Sequence, residues 1–339
     1  MASGADVQAM WGLELDANGK PKFGGGGLVN KLLGYNQDIS IDVERGIDRR
    51  GNLGTRGTAR YSRGGFSGSL RLECDLVQPW LLELMFGSYI KTGTTKYTYT
   101  YTEEDILPSA EFQVLENLTP TKTLFRQLQG CVVQRGEISV EATSSDPIRL
   151  SYEMGFAKEL RSNAKPSGWG GKWGIEARNT VSFAGATWSA WTGSSYKEIA
   201  QTESVNISID HGTELKTSLG SEFPTRASFG IRDWKVSTIT LFEDPSTYMD
   251  ALYGAPVDGT PSAPGAPKLV GGSKDKGLQL KLTWDDGGKM TFEFTNVIVT
   301  THSNPIRGAA DELMESVEML AGACSLVVSD WPDDEPARK

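Results

Sequence analysis

One pattern occurs twice in this chain, and it constrains the fold more than any other feature. The first copy reads Asp38-Ile-Ser-Ile-Asp-Val-Glu-Arg-Gly46, an arginine-rich loop, Ser69-Leu-Arg-Leu-Glu-Cys74, then a segment from Asp75 to Gly87. The second reads Val205-Asn-Ile-Ser-Ile-Asp-His-Gly212, a polar loop, Val236-Ser-Thr-Ile-Thr-Leu241, then a segment from Asp244 to Gly254. The two lie roughly 167 residues apart, about half the chain, which is the signature of an internal duplication. Each copy spells strand, long loop, strand, short helix and glycine stop. Two tandem, mainly-β domains are expected: residues 1–160 with an N-terminal arm, a linker over 161–174, and residues 175–339 with an acidic tail.

The strands rest on period two. Ile39, Ile41 and Val43 alternate with Ser40, Asp42 and Glu44, and Ile207 and Ile209 with Ser208 and Asp210, giving one apolar and one wet face. The helices rest on caps and stripes. Asp75 and Asp244 read as N-caps over 75–87 and 244–254, Pro245 suits a first turn, and Gly87 and Gly254 suit left-handed stops. Further strands are expected at Lys96–Thr102, Glu111–Leu115, Gly130–Gln134, Glu137–Glu141, Arg149–Met154, Thr180–Ala184 and Ala186–Trp191. Leu278–Trp284 and Met290–Phe294 around Asp285-Asp-Gly-Gly288 spell a hairpin, and Val297–Val299 a strand. Ser151-Tyr-Glu-Met154 matches Ser316-Val-Glu-Met319, which tips 312–320 to strand. The stretch 254–273 reads as a surface loop, and the tail from Asp330 as loose.

Composition fits a β-rich chain, with 38% hydrophobic residues and 39 glycines for its turns. No apolar run approaches the ~20 residues that span a bilayer, so no membrane insertion is expected. Met1-Ala-Ser-Gly-Ala-Asp6 lacks a signal-peptide core, so synthesis and assembly in a cytoplasm are expected. Cys74, Cys131 and Cys324 show no metal spacing and read as buried free thiols. A net charge of −9 disfavours general affinity for nucleic acid.

Enzyme chemistry has no foothold in the motifs. His211 and His302 read as surface residues, and neither a nucleophile elbow nor a phosphate-cradling loop is present. No catalytic, cofactor-binding or metal-binding residues are assigned. One charge feature stands out: Arg45, Arg49, Arg50, Arg56, Arg60 and Arg63 crowd one loop, with Glu44 and Asp48 the nearby acids. A basic segment in an acidic chain seeks an acidic partner, either nucleic acid or another copy of the same chain.

The Met10-Trp-Gly-Leu-Glu14 start, the Ile-Ser-Ile-Asp strand with its long glycine- and arginine-bearing loop, and the short helix ending in Phe-Gly or Tyr-Gly resemble one family. Phe183-Ala-Gly-Ala with Glu203-Ser-Val-Asn-Ile-Ser-Ile-Asp210 extends the likeness. That family is the major tail tube proteins of long-tailed, siphovirus-like viruses of bacteria and archaea, here in a duplicated form. The resemblance implies β-sandwich or barrel domains, each flanked by one helix, whose sheets join edge to edge into rings. Stacked rings form a hollow tube for viral DNA in the virion tail. Two domains per chain imply a trimeric, pseudo-hexameric ring. Implied partners are further copies of the chain, a tape measure protein and DNA in the lumen, and tail terminator and baseplate or tip proteins at the ends. The arginine loop is expected to leave its own domain and dock on the adjacent ring, its guanidiniums pairing with carboxylates there. Two rival readings are a β-sandwich adhesin, which would favour a signal peptide, and a carbohydrate-active enzyme, which would need a paired acidic site.

Overall fold

A computed structural model describes residues 7–15, 22–24, 29, 31–51, 58–119, 122–142, 147–164, 183–199, 201–241, 248–254, 265–303 and 314–332. The fold is mainly β. The first half carries β1 (Val7–Leu13), β2 (Lys31–Leu32), β3 (Asp38–Gly51), β4 (Thr58–Asp75), β5 (Gly87–Thr92) and β6 (Tyr97–Glu103). It continues with β7 (Ala110–Thr119), β8 (Lys122–Glu141), β9 (Arg149–Phe156) and β10 (Lys158–Ser162). The second half carries β11 (Ala186–Trp191), β12 (Tyr196–Glu198), β13 (Thr202–Asp210), β14 (Glu214–Thr217), β15 (Pro224–Ser228) and β16 (Asp233–Leu241). It ends with β17 (Leu278–Thr283), β18 (Lys289–Thr295), β19 (Ile298–Ser303), β20 (Met314–Ala321) and β21 (Ala323–Trp331). Two short helices, α1 (Glu83–Phe86) and α2 (Met249–Tyr253), accompany them.

Both halves pair their strands in the same way. β1 lies on β7, and β7 on the first part of β8, as β11 lies on β17 and β17 on β18. β3, β4 and β9 follow one another and reach the second part of β8, as β13, β16 and β20 reach β19. Even a bulge recurs, between Val133 and Arg135 on β8 and between Val299 and Thr301 on β19. The two Ile-Ser-Ile-Asp strings, however, do not coincide. Ile41 stands opposite Leu70 as Ile207 stands opposite Val236, so the match slides by two residues. A slide of two keeps each side chain on its face, which is why alternation alone could not reveal it.

The halves are joined through both sheets. In the larger sheet β8 pairs with β13, Ile138 opposite Ile207, giving one antiparallel run β3–β4–β9–β8–β13–β16–β20–β19. In the smaller sheet β21 of the second half pairs with β6 of the first, Val328 opposite Tyr99. One apolar core links Trp11, Trp188, Trp234, Phe292 and Phe294, all nearly inaccessible. Fully burying one such side chain contributes about 1.5–3 kcal/mol.

Several expected boundaries move. Gly130–Gln134 and Glu137–Glu141, expected as two strands, are parts of one strand, β8. Its first part pairs with β7 and β10 and its second with β9 and β13, with left-handed Gly130 (φ 68°) and the following bulge at the bend between them. The helix expected over 75–87 shrinks to a 3-10 turn at Pro79–Leu82 followed by α1. Asp75 is not its cap: it ends β4 opposite Arg149, and its carboxylate accepts from Asn36 Nδ2 at 2.8 Å. Helix formation waits for Pro79, whose fixed φ suits a first turn. α2 stops at Gly254 in the left-handed conformation (φ 69°), as expected, while Asp244 and Pro245 fall outside the described residues. Phe183–Gly185 form a 3-10 turn, not strand. β10 runs into the expected linker as far as Ser162, and Trp169 and Trp173 lie outside the described residues. The expected tail is anchored at its start by fully buried Trp331, which meets Trp284 edge-on with centroids 5.1 Å apart.

Candidate assembly surface: a polar sheet face, two open edges and a hairpin arm

The larger sheet turns its alternate residues away from the core and into solvent. On β3 these are Ser40, Asp42 and Glu44, and on β8 Arg135, Glu137 and Ser139. Carboxylates outnumber cations on this face. Its arginines are spanned by cross-strand partners: Arg71 to Glu153 at 2.9 Å, Arg149 to Glu73 at 3.0 Å, and Arg135 to Asp210 at 3.4 Å. Each exposed pair adds at most about 1 kcal/mol. Their larger effect is on charge, since they neutralise the cations and leave the acidic surplus.

β3 and β19 end this eight-strand run, each with a single strand partner among the described residues, and Ile298 at the start of β19 also bridges to Leu269. The cost of an open edge is visible in the side chains. Val205, Ile207 and Ile209 on β13 are 2%, 0% and 1% exposed because β8 covers them. Their counterparts on β3 are Ile39 and Ile41, which are half-buried, and Val43, which is 37% exposed. Unpaired backbone groups and uncovered apolar side chains make such an edge a template for another strand.

The stretch expected as an arginine loop is largely strand. β3 and β4 continue beyond the sandwich as a long hairpin arm, placing Ile47 opposite Arg63, Arg49 opposite Tyr61 and Arg50 opposite Arg60. The reason is local: two strands that pair with each other satisfy their own backbone groups without a sandwich beneath them. Arg45 is exposed at the foot of the arm, and Arg56 falls outside the described residues. The second half has a matching hairpin, β14–β15, with Lys216 opposite Arg226 and the same shift in register one residue on.

Each hairpin leaves its sheet at a glycine crossing that the sequence reading missed. A methyl group on Gly64 would stand 2.7 Å from the Gly46 carbonyl oxygen, and one on Gly230 would stand 3.1 Å from that of Gly212. Both contacts are with backbone, so only glycine permits the strands to approach this closely. The repeated Gly46 and Gly212 were the available signal.

Both histidines correct their expected surface placement. His302 is largely buried with its Nε2 2.7 Å from the Glu315 carboxylate. His211, at the end of β13, is 3% exposed. Burial, then the charge of Arg232, pushes its pKa down to about 4, so the ring is neutral at neutral pH. Cys74, Cys131 and Cys324 are buried free thiols, as expected, and burial raises the pKa of each. Among the described residues no group of His, Cys, Asp and Glu is placed to hold a metal ion, and no helix is long and apolar enough to cross a membrane.

No sequence profile of a known protein family matches this chain, and no curated protein does. Among solved structures, a chain in the virion of a native gene transfer agent particle is similar over 42% of this chain and 95% of its own, at 18% identity and a TM-score of 0.28. A chain in the tail of an empty gene transfer agent particle, refined with C6 symmetry, is similar over 42% and 94%, at 19% identity and a TM-score of 0.27.

Proposed function

We propose that this chain is a virion structural protein, an internal duplication of one tail-tube domain, whose rings stack into the hollow tube that conducts viral DNA. The observation that carries the reading is the match between the junction inside the chain and the edges left open outside it. β8 and β13 meet in the middle of the larger sheet, and the open edges, β19 and β3, are their counterparts. A second chain added by the same step pairs its β3 with β19 of the first. The internal register sets Arg135 opposite Asp210 and Gly136 opposite Ile209. Repeated between chains, it sets Thr301 opposite Glu44 and His302 opposite Val43.

An edge-to-edge contact between unlike edges closes only as a ring. With two equivalent domains per chain, three chains give a pseudo-sixfold ring in which neither β3 nor β19 is left as an open edge. The polar, carboxylate-rich face then lines the lumen, where a wall poor in unpaired cations lets DNA slide past. The arm bearing Arg45, Arg49, Arg50, Arg56, Arg60 and Arg63 serves as an intersubunit contact. Assembly in a host cytoplasm, a tape measure protein in the lumen, and terminator and tip proteins at the ends belong to the same reading.

Electron microscopy of the purified, negatively stained protein tests it. Rings of three chains with six similar lobes, or tubes built from them, are expected. Monodisperse monomers at high concentration would overturn the proposal.

A further inference from the structure

The β14–β15 hairpin does something its counterpart cannot do within one chain: it rests on the neighbouring half. At the foot of the β3–β4 arm the Phe66 amide donates to the Glu222 carbonyl at 2.9 Å, and Arg45 Nη1 meets the Glu222 carboxylate at 3.3 Å. Phe223 packs on Phe66 with centroids 5.3 Å apart, beneath the Arg45 guanidinium at 5.7 Å. Further along, Leu215 lies against Gly155 of β9.

Strand pairing fixes the equivalent place on the second half. Arg45 corresponds to His211, Phe66 to Arg232 and Gly155 to Leu320. At that place there is a cleft of about 370 Å³, lined by Glu104, Asp105, Leu107, His211, Phe229 and Arg232. The His211 ring bonds to the Met85 backbone, while its Nε2 is buried without a hydrogen-bond partner. Two isoleucines adjoin the lining residues in sequence, Ile106 at 71% and Ile231 at 85% exposure. A polar cleft beside exposed isoleucines and an unsatisfied buried acceptor is a surface built to be covered.

We infer that this cleft receives the β3–β4 arm of a second copy of this chain, the lateral neighbour in the same ring. The inference rests on the ring proposed above, because it repeats the β8–β13 step between chains. Three observations favour this occupant. The two hairpins have equal lengths between their glycine crossings, 47–63 and 213–229, and share one register. The charges are exchanged in a matched way: inside the chain a basic receptor, Arg45, meets acidic Glu222, while the cleft offers Glu104 and Asp105 to an arm that carries arginines. Arg232, the one cation among the described lining residues, is already held by Glu103 at 2.6 Å and by the Glu104 carbonyl. Guanidinium groups supply what the site lacks, a forked donor for carboxylates and for a neutral imidazole nitrogen.

Within the chain Leu215 touches Gly155, so between chains Arg49 of one copy should lie beside Leu320 of the next. An R49C chain mixed with an L320C chain, both otherwise full length, should form a covalent heterodimer with a short bismaleimide in isolated rings. The native thiols are buried and give little background. In parallel, Asp105→Arg, with an unchanged melting temperature, should raise the concentration needed for ring formation at least tenfold. If wild-type protein forms no ring, the functional proposal fails and this inference with it. If rings form but the cross-link is absent, or appears only after rings stack, the arm docks elsewhere: this inference fails and the ring stands. Unchanged assembly of Asp105→Arg would also overturn it.

Discussion

Residue-level chemistry sets how this protein responds to acid. His211 is buried at the end of β13, with a pKa pushed from 6.5 to about 4 by burial and by Arg232. A base whose pKa is lowered by folding contributes stability that is complete above its unfolded pKa. That stability is lost as pH falls through the folded value. The window for His211 therefore runs from pH 6.5 down to about 4, and the shift corresponds to about 3 kcal/mol across it. Urea titrations of wild type at several pH values in that range should show the loss, and His211→Gln should flatten the curve. Equal slopes for both proteins would mean that other groups set the acid response. Sequence pattern could not locate this residue. His211 follows β13 and continues its core-facing alternation, but a histidine just past a strand end reads as surface unless the opposing wall is known.

At the scale of elements, period two named most of the strands, because a half-buried strand must alternate whatever surrounds it. The same logic hid three things. It could not distinguish registers two residues apart in the Ile-Ser-Ile-Asp strings, because both satisfy one face. It divided β8, because the polar bend at Arg135 interrupts an otherwise apolar alternation. It read the β3–β4 arm as loop, because an arm outside the sandwich has no buried face to alternate against. The glycine crossings define where that arm begins. Gly64→Ala forces a methyl group to within 2.7 Å of the Gly46 carbonyl, where backbone must yield on one strand or the other. The expected cost is about 1–3 kcal/mol. Its effect should be local: a folded monomer with native circular dichroism, faster amide exchange over β3 and the start of β4, and impaired assembly. Uniform acceleration of exchange throughout the core would instead assign Gly64 to the stability of the whole sandwich.

For the whole molecule, the net charge of −9 and the ion-paired arginines of the polar sheet face act together. Assembled tubes should bind double-stranded DNA weakly, with little dependence on salt, because few counterions are released. Fluorescence anisotropy across ~0.05–0.3 M salt measures this; tight binding that collapses as salt rises would identify a nucleic-acid-binding face and remove it from a conducting channel.

The sequence by itself determined a mainly β chain, the repeated strand–loop–strand–helix order, the left-handed stop at Gly254 and the burial of the three thiols. Each of these is written in local alternation, in composition or in a single residue's allowed backbone. Only the tertiary structure decided that β8 joins β13, that β21 reaches back to β6, that β3 and β19 are left as edges, and that a cleft opens beside His211. Those outcomes depend on which strands meet across long sequence separations. Alternation tells a strand which face to bury, but the identity of its neighbour is fixed only when all the strands compete for partners at once.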